Sequence, residues 1–345
     1  DETNNNHMAY WLSNSATLLF LLQHTLKTTD SAPKRPPQPT SFFGRMAQSF
    51  RSSSANLAIG GLDTVRQVEA KQPALLFKLQ LSAYVEKIYG IVRDNWRRDL
   101  SSLLTSFIQA SQTSKGSSLQ SPRKSLDGSS PPTPWDGVME SLNGLLSILK
   151  ENYVHPVFVQ KILNQIFSYI NVQLFNSLLL QRECCTFSSG EYVKAGLQEI
   201  EIWCGNIKEE YVGSSLDELK HARQAVGFLV INQKSRLTSE DLTTDLCPIL
   251  STQQLYRICT LYWDEDFNTQ GVSPDVISSF KDQTKQDASD ANANDADNNN
   301  FTLEDNSSIP ISVEDINSSL KDVDFTGVKP ANELLEHAAF QFLRE

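Results

Sequence analysis

Apolar residues recur at helical spacing along most of this chain, and no convincing strand-turn-strand alternation interrupts them. The spacing predicts a first helix over 8–26, with Trp11, Leu12, Leu18, Leu19 and Leu22 sharing one broad buried face. A second is predicted over 69–104. There Leu75, Leu76, Leu79, Ala83, Ile88, Ile91 and Val92 fall mostly on one side, and Arg93, Arg97 and Arg98 decorate the other. Further helices are expected over 135–150, 156–181, 190–205, 216–233, 238–247, 251–263 and 273–283, joined by short turns. Two of them open on capping sequences, Thr238-Ser-Glu-Asp and Ser251-Thr-Gln-Gln, where a hydroxyl and a carboxyl or carboxamide can meet the free amides of a first turn. The helix over 156–181 stands apart because Phe158, Ile162, Ile166, Ile170, Leu174 and Leu178 and their neighbours make it apolar nearly all round. Such a helix has to lie inside a multi-helix core. The fold class is therefore all-α around a long central helix, and the length suits one elongated domain or two sub-domains.

Breaks in this pattern mark the organisation. Pro33, Pro36, Pro37 and Pro39 make 28–56 a loop within an N-terminal helical sub-domain over 1–110. The Ser, Gly and Pro of 111–134 cannot build a packed core and read as a disordered insertion, in which Ser121 and Ser125, beside Pro, Arg and Lys, read either as kinase targets or as part of a solvated loop without a regulatory role. A second helical sub-domain follows over 135–283, then a disordered acidic and Asn-rich tract over 284–300 and a C-terminal tail over 301–345. In that tail, 301–320 mixes acidic and apolar residues in a way that suits packing back as an extended segment. Almost nothing precedes the first helix, so more protein is expected upstream in a longer parent.

Charge and chemistry narrow the function by exclusion. A net charge of −11 argues against a general nucleic-acid binder, although much of the acid sits in 282–305 and leaves the helical part nearer neutral. Five cysteines (Cys184, Cys185, Cys204, Cys247, Cys259), odd in number and without CxxC spacing, suit a reducing cytosol, and no stretch is long and apolar enough to span a bilayer. Neither GxxxxGK[ST] nor GxGxxG occurs, and His7, His24, His155, His221 and His337 are scattered without zinc spacing. No cofactor is expected. Cys184-Cys185 reads as a pair of small buried side chains more than as a redox or metal centre, and a cysteine paired with His221 is the one catalytic arrangement left open.

The residues themselves then resemble a known family. The segment 165–180, Gln-Ile-Phe-Ser-Tyr-Ile-Asn-Val-Gln-Leu-Phe-Asn-Ser-Leu-Leu-Leu, continues through Arg182-Glu-Cys-Cys and Gly190-Glu-Tyr-Val-Lys-Ala-Gly-Leu to Trp203. It resembles the dilute (DIL) domain and, more closely, the globular tail of plant class XI myosins, relatives of the class V cargo motors. Similar phrases stand in family order at Tyr10-Trp-Leu-Ser-Asn, Phe77-Lys-Leu-Gln-Leu-Ser-Ala-Tyr-Val-Glu-Lys-Ile-Tyr-Gly, Asp217-Glu-Leu-Lys-His-Ala-Arg-Gln-Ala-Val-Gly-Phe-Leu, Leu246-Cys-Pro, Gln254-Leu-Tyr-Arg-Ile and Val272-Ser-Pro-Asp-Val, spanning 9–280.

The resemblance implies an elongated stack of helical bundles that captures cargo adaptor proteins and Rab GTPases, and in some relatives folds back on the myosin head. It implies a cytoplasmic protein associated with vesicles or organelles, reaching membranes indirectly, and reaching actin and calmodulin only through a parent motor. In fungal relatives a Rab-contacting surface follows the central helix. Arg182 matches its basic residue, while Ala195, Glu199, Val226 and Leu229 stand where tyrosine, arginine, lysine and glutamine occur there. Lys220 and Arg223 lie near one another on a helix and read either as a basic rim of the same candidate surface or as a solvated face, and Lys194 joins the candidate set. Arg182 has a second reading, as a cation compensating the carbonyl end of the central helix. Ser189 occupies the place of a basic residue that docks the tail on the head in animal relatives, so that contact does not carry over. Two functions stand at this point: a cargo-binding tail of an actin-based motor, and a helical tether or scaffold that works without a motor.

Overall fold

The structure is a computed structural model, and it describes residues 1–29, 73–113, 133–264, 271–290, 301–306, 308–312, 316, 320 and 336–338. Residues 28–29 of the expected loop over 28–56 and 111–113 of the expected insertion over 111–134 are helical, while 30–56, 114–132 and 291–300 lie outside the described residues. The main helices are α1 (Asn5–Thr29), α2 (Pro73–Thr113), α3 (Pro134–Glu151), α4 (Pro156–Leu180), α5 (Phe187–Gly205), α6 (Glu209–Val212), α7 (Lys220–Leu229), α8 (Thr252–Leu261) and α9 (Pro274–Asp290). No strand occurs among the described residues; Thr186 and Trp263 make an isolated parallel bridge.

The chain divides into two compact units, one of 1–13 with 88–310 and one of 14–87 with 311–345. The division falls inside α1 and α2 rather than at the Ser/Gly/Pro-rich 111–134. In the smaller unit Ala16, Leu19, Phe20, Leu81, Val85 and Ile311 are buried. Trp11 and Leu18, placed on the buried face by the sequence pattern, are instead 46% exposed, and the buried side of α1 is Met8, Leu12, Ala16, Leu19 and Phe20. Likewise Leu79 and Ala83 of α2 face outward, and its buried stripe is Leu81, Val85, Tyr89, Val92, Trp96 and Leu100. Arg93 and Arg97 are only 4% and 8% exposed, contrary to the solvent face expected of them. Residues 305 and 308 explain this: Arg97 pairs with Asp305 at 2.5 Å and Arg93 donates to the Ser308 carbonyl at 3.4 Å.

In the larger unit α4 is the centre. Pro156 supplies a preset first-turn φ, and His155 Nδ1 accepts from the Val157 amide at 3.3 Å. Its buried set runs through Phe158, Ile162, Ile166, Phe167, Ile170, Leu174, Phe175 and Leu178. Each such side chain contributes roughly 1.5–3 kcal/mol of transfer free energy before ordering entropy is subtracted. Around it pack α6, the 3-10 turn Ser215–Leu219, α7 and α8. Asn171 of α4 accepts from the Ala222 amide at 2.9 Å, giving α7 a first-turn cap from another helix. The sequence pattern over 216–233 predicts one helix. The structure splits it into the 3-10 turn Ser215–Leu219 and α7, because buried Ser215 is drawn to Asn164 of α4 and tightens the entry.

Capping also moves α5. The run Phe187-Ser-Ser-Gly reads as a turn in sequence, yet α5 begins at Phe187 because the Thr186 hydroxyl accepts from the Ser189 amide at 3.1 Å. The Ser251 and Gln254 capping box forms as expected at the start of α8. Thr238 and Asp241 also make the expected reciprocal bonds, and these hold the Asp241 carboxyl below the usual carboxylate range. The chain then winds as a wide π turn over Asp241–Leu246, in which the Cys247 amide reaches the Leu242 carbonyl at 2.9 Å. Helix α9 continues to Asp290, beyond the end expected at 283.

Two close packings fix how α3, α5 and α7 meet. A methyl added at Gly196 of α5 would overlap the Trp135 indole of α3, and one at Gly190 would lie 2.7 Å from the Leu229 Cβ of α7. Gly196→Ala gains about 1 kcal/mol of helix propensity, but displacing a buried indole costs about 1–3 kcal/mol. The substitution is expected to lower stability in chemical denaturation.

The end of α7 carries a second constraint. Lys234 is fully buried, with Nζ donating to the carbonyls of Leu229 at 2.8 Å and Ile231 at 2.5 Å. Its ammonium lies 4.0 Å from the Tyr262 ring centroid, 5.6 Å from Phe228 and 5.8 Å from Phe187, an aromatic cage around a helix-end cation. Burial pushes its pKa down to about 8. Lys234→Met strands two buried carbonyls and is expected to cost about 2 kcal/mol or more. With a folded pKa of about 8 against the ordinary 10.5, the unfolded chain binds the extra proton between those values, so the contribution of Lys234 to stability rises with pH there. Urea denaturation at pH 7 and at pH 9.5 should show the wild-type advantage over Lys234→Met widening at the higher pH.

Candidate functional site

The residues singled out in sequence lie along the paired helices α5 and α7 and on the turn that follows α4. Leu229 meets Gly190 near the start of α5, and Arg223 pairs with Glu201 near its end, so the two helices run antiparallel. Between those contacts α5 rises about 16 Å at 1.5 Å per residue. The set is therefore a strip, with Arg182 beyond the Leu229 end of α7 and Lys220 and Arg223 toward the other.

Arg182 opens the 3-10 turn Arg182–Cys184, one residue past the C-cap of α4. Its backbone is fixed, since the Trp263 indole donates to its carbonyl at 2.8 Å, while its exposed guanidinium makes no hydrogen bond or ion pair with the described residues. The helix-end role read for Arg182 belongs instead to Arg257 of α8, whose Nε donates to the Leu179 carbonyl at 3.1 Å. Arg257 was visible in sequence only as part of Gln254-Leu-Tyr-Arg-Ile. Nothing in spacing ties it to the end of a helix 78 residues away.

Lys194 and Lys220 are exposed, Ala195 and Glu199 are half-buried, and Lys194 stands 4.0 Å from Glu191 one turn back. Arg223 is neutralised by Glu201 across the α5–α7 seam. Val226 and Leu229 are 2% and 0% exposed. They pack inside, so they shape the strip from beneath and offer no side chain to a docked partner. Ser189 is also buried, engaged by the Thr186 hydroxyl at 3.1 Å.

Of the residues left open for chemistry, the cysteines are turned inward and His221 is half-buried. All five cysteines are buried, and burial pushes the thiols of Cys204, Cys247 and Cys259 up to about 12 and that of Cys185 further in the same direction. Thiolate, the reactive form, is suppressed in each. His221 stacks edge-on against Phe175 at 5.6 Å, and desolvation together with neighbouring Lys220 holds its pKa below the ordinary value. Among the described residues no three His, Cys, Asp or Glu side chains gather as metal ligands, and no helix is long and apolar enough to cross a membrane. Trp203 is buried and donates from its indole to Asn143 at 2.8 Å.

Comparison with known proteins bears on this arrangement directly. Residues 161–266, from the first turns of α4 to just past α8, match the DIL domain. The chain is 57% identical to Myosin-6 and 56% identical to Myosin-8 of Arabidopsis thaliana, in each case over 99% of this chain and 23% of the relative. It therefore spans about a quarter of the length of the curated relatives it matches. Among solved structures, a yeast myosin 5 cargo binding domain superposes with a TM-score of 0.62 over 94% of this chain and 70% of that one, at 15% identity. The Myo2 globular tail in complex with Mmr1 gives 0.61 over the same shares at 15% identity. At such identity the likeness speaks for the fold. The helices packed around α4 thus match the DIL domain, in a chain similar along nearly its whole length to class XI myosin tails of Arabidopsis and folded like the cargo-binding tails of class V myosins.

Proposed function

We propose that this chain is the cargo-binding globular tail of an unconventional, actin-based myosin, joining the motor to adaptor proteins or Rab GTPases on organelles and vesicles. The observation that carries the reading is identity of 57% to a plant myosin over 99% of the chain, on a fold shared with domains described as cargo binding. In this reading the chain acts by binding, in keeping with buried thiols held protonated and a half-buried His221 set against Phe175. Its place is the cytoplasm, with membranes reached through the partner, and actin and calmodulin reached only through the motor.

The strip along α5 and α7 is the proposed docking surface. Arg182 and Lys220 supply its uncompensated positive charge, Lys194 and Arg223 its paired charge, and Ala195 and Glu199 its flatter middle. Val226 and Leu229 support it from inside. Docking on the myosin head by the route used in animal relatives is not part of the proposal, since buried Ser189 occupies that position.

Isothermal titration of the chain against Rab GTPases loaded with GDP or a GTP analogue tests the Rab arm. Binding is expected only in the GTP form, weakened about tenfold by Arg182→Glu (about 1.4 kcal/mol) and unchanged by Lys285→Glu on α9. Equal binding of both nucleotide forms, or equal loss with the α9 control, contradicts it.

A further inference from the structure

Residues 301–306 and 308–310 lie extended across the helices of the larger unit, and the contacts that hold them are mostly to their main chain. Gln254 of α8 donates to the Phe301 carbonyl at 3.1 Å, and Arg257 lies 5.1 Å from the Phe301 ring. Asn176 of α4 brackets Leu303 on both sides, donating to its carbonyl at 2.9 Å and accepting from its amide at 2.8 Å. Gln165 donates to the Ser308 carbonyl at 2.6 Å, and Lys161 to the Pro310 carbonyl at 2.6 Å. Asp305 of the strap pairs with Arg97, whose guanidinium is backed by the Tyr169 ring at 5.1 Å.

These groups form a track. Lys161, Gln165, Tyr169 and Asn176 repeat at helical spacing on one face of α4, a polar stripe separate from the one that carries Asn164 and Asn171 toward Ser215 and α7. From Asn176 to Lys161 the helix rises about 22 Å, and the seven residue steps from Leu303 to Pro310 span about 23 Å when extended. The strap therefore runs antiparallel to α4 with no slack. Its own burial is slight: Glu304, Asp305, Asn306, Ser308, Ile309 and Pro310 are all exposed. A segment held by main-chain bonds with little apolar area stands at the low-stability end of a domain. Recognition through the main chain also tolerates a change of sequence, because each carbonyl presents the same acceptor whatever its side chain.

We propose that this track is a peptide-binding groove whose resident occupant is the chain's own strap, and that an extended segment of a partner protein takes the strap's place. The partner segment carries a carboxylate where Asp305 meets Arg97, and an apolar or aromatic residue where Phe301 meets Arg257. Positive charge from Arg93, Arg97, Lys161 and Arg257 lines the groove and matches an acidic segment. The proposal does not depend on the Arg182 strip, which lies off this face of α4. It adds a partner class that a surface of exposed helix residues does not define.

The test uses the full chain and a fluorescein-labelled peptide of residues 301–310 added in trans, read by anisotropy. Leu303→Pro with Asp305→Lys removes the amide that Asn176 accepts and repels Arg97, so it frees the strap without touching the groove. The peptide is expected to bind this released chain about tenfold more tightly than the intact chain. A peptide with the Asp305 position changed to Lys should lose binding, as should Asn176→Leu placed in the released background. Equal binding to intact and released chains, or no binding to a released chain that melts cooperatively, overturns the proposal. Should the released variant fail to fold, amide exchange of Leu303 in the intact chain decides. Exchange well ahead of the α4 amides supports a displaceable strap, and exchange only together with α4 rejects it.

Discussion

A helix packed against neighbours on most of its sides must find partners inside the protein for the polar groups it buries, because little water reaches them. Helix α4 imposes that constraint on the larger unit, and its neighbours are arranged to meet it. Asn164 receives Ser215 and so fixes the turn into α7, and Asn171 caps α7 itself. Asn176, Gln165 and Lys161 hold the strap, and Arg257 of α8 satisfies the carbonyl left open at Leu179. Apolar area drives the helices onto α4, while these bonds select one register and one order among the many that would bury similar area.

The same logic recurs at the far end of α7. There the carbonyls of Leu229 and Ile231 are met by a fully buried ammonium, and three aromatic rings replace the water that Lys234 has lost. Helix α7 is thus held at its start by a side chain of α4 and at its end by Lys234. With both ends fixed, α7 can present Lys220 and Arg223 on a stable ridge beside α5. The candidate docking strip inherits its geometry from contacts that no partner would touch.

Much of this was legible from the chain. The all-round apolar pattern of 156–181 announced a central helix, Ser251 and Gln254 announced the start of α8, and of the extended segment expected over 301–320 the first part is extended, while Ile316 and Leu320 make helical bonds back to Ser312 and Ile316. What could not be read were properties set by tertiary partners. Arg93 and Arg97 looked like surface residues because the strap that covers them lies more than 200 positions away. Trp11 and Leu18 looked buried because helical spacing gives a stripe without saying which of its edges faces the core. The start of α5 was missed because Thr186 caps a run that otherwise resembles a turn. Resemblance carried the DIL assignment well but carried single contact residues poorly: of those transferred, Val226 and Leu229 lie in the core.

The central claim is that α4 is the element on which the larger unit is built, and native-state hydrogen exchange addresses it most directly. Amides over 162–179 should exchange last, with a free energy of opening equal to that of global unfolding and a matching dependence on denaturant. Exchange of those amides ahead of α3 or α9, through a smaller local opening, would contradict the account.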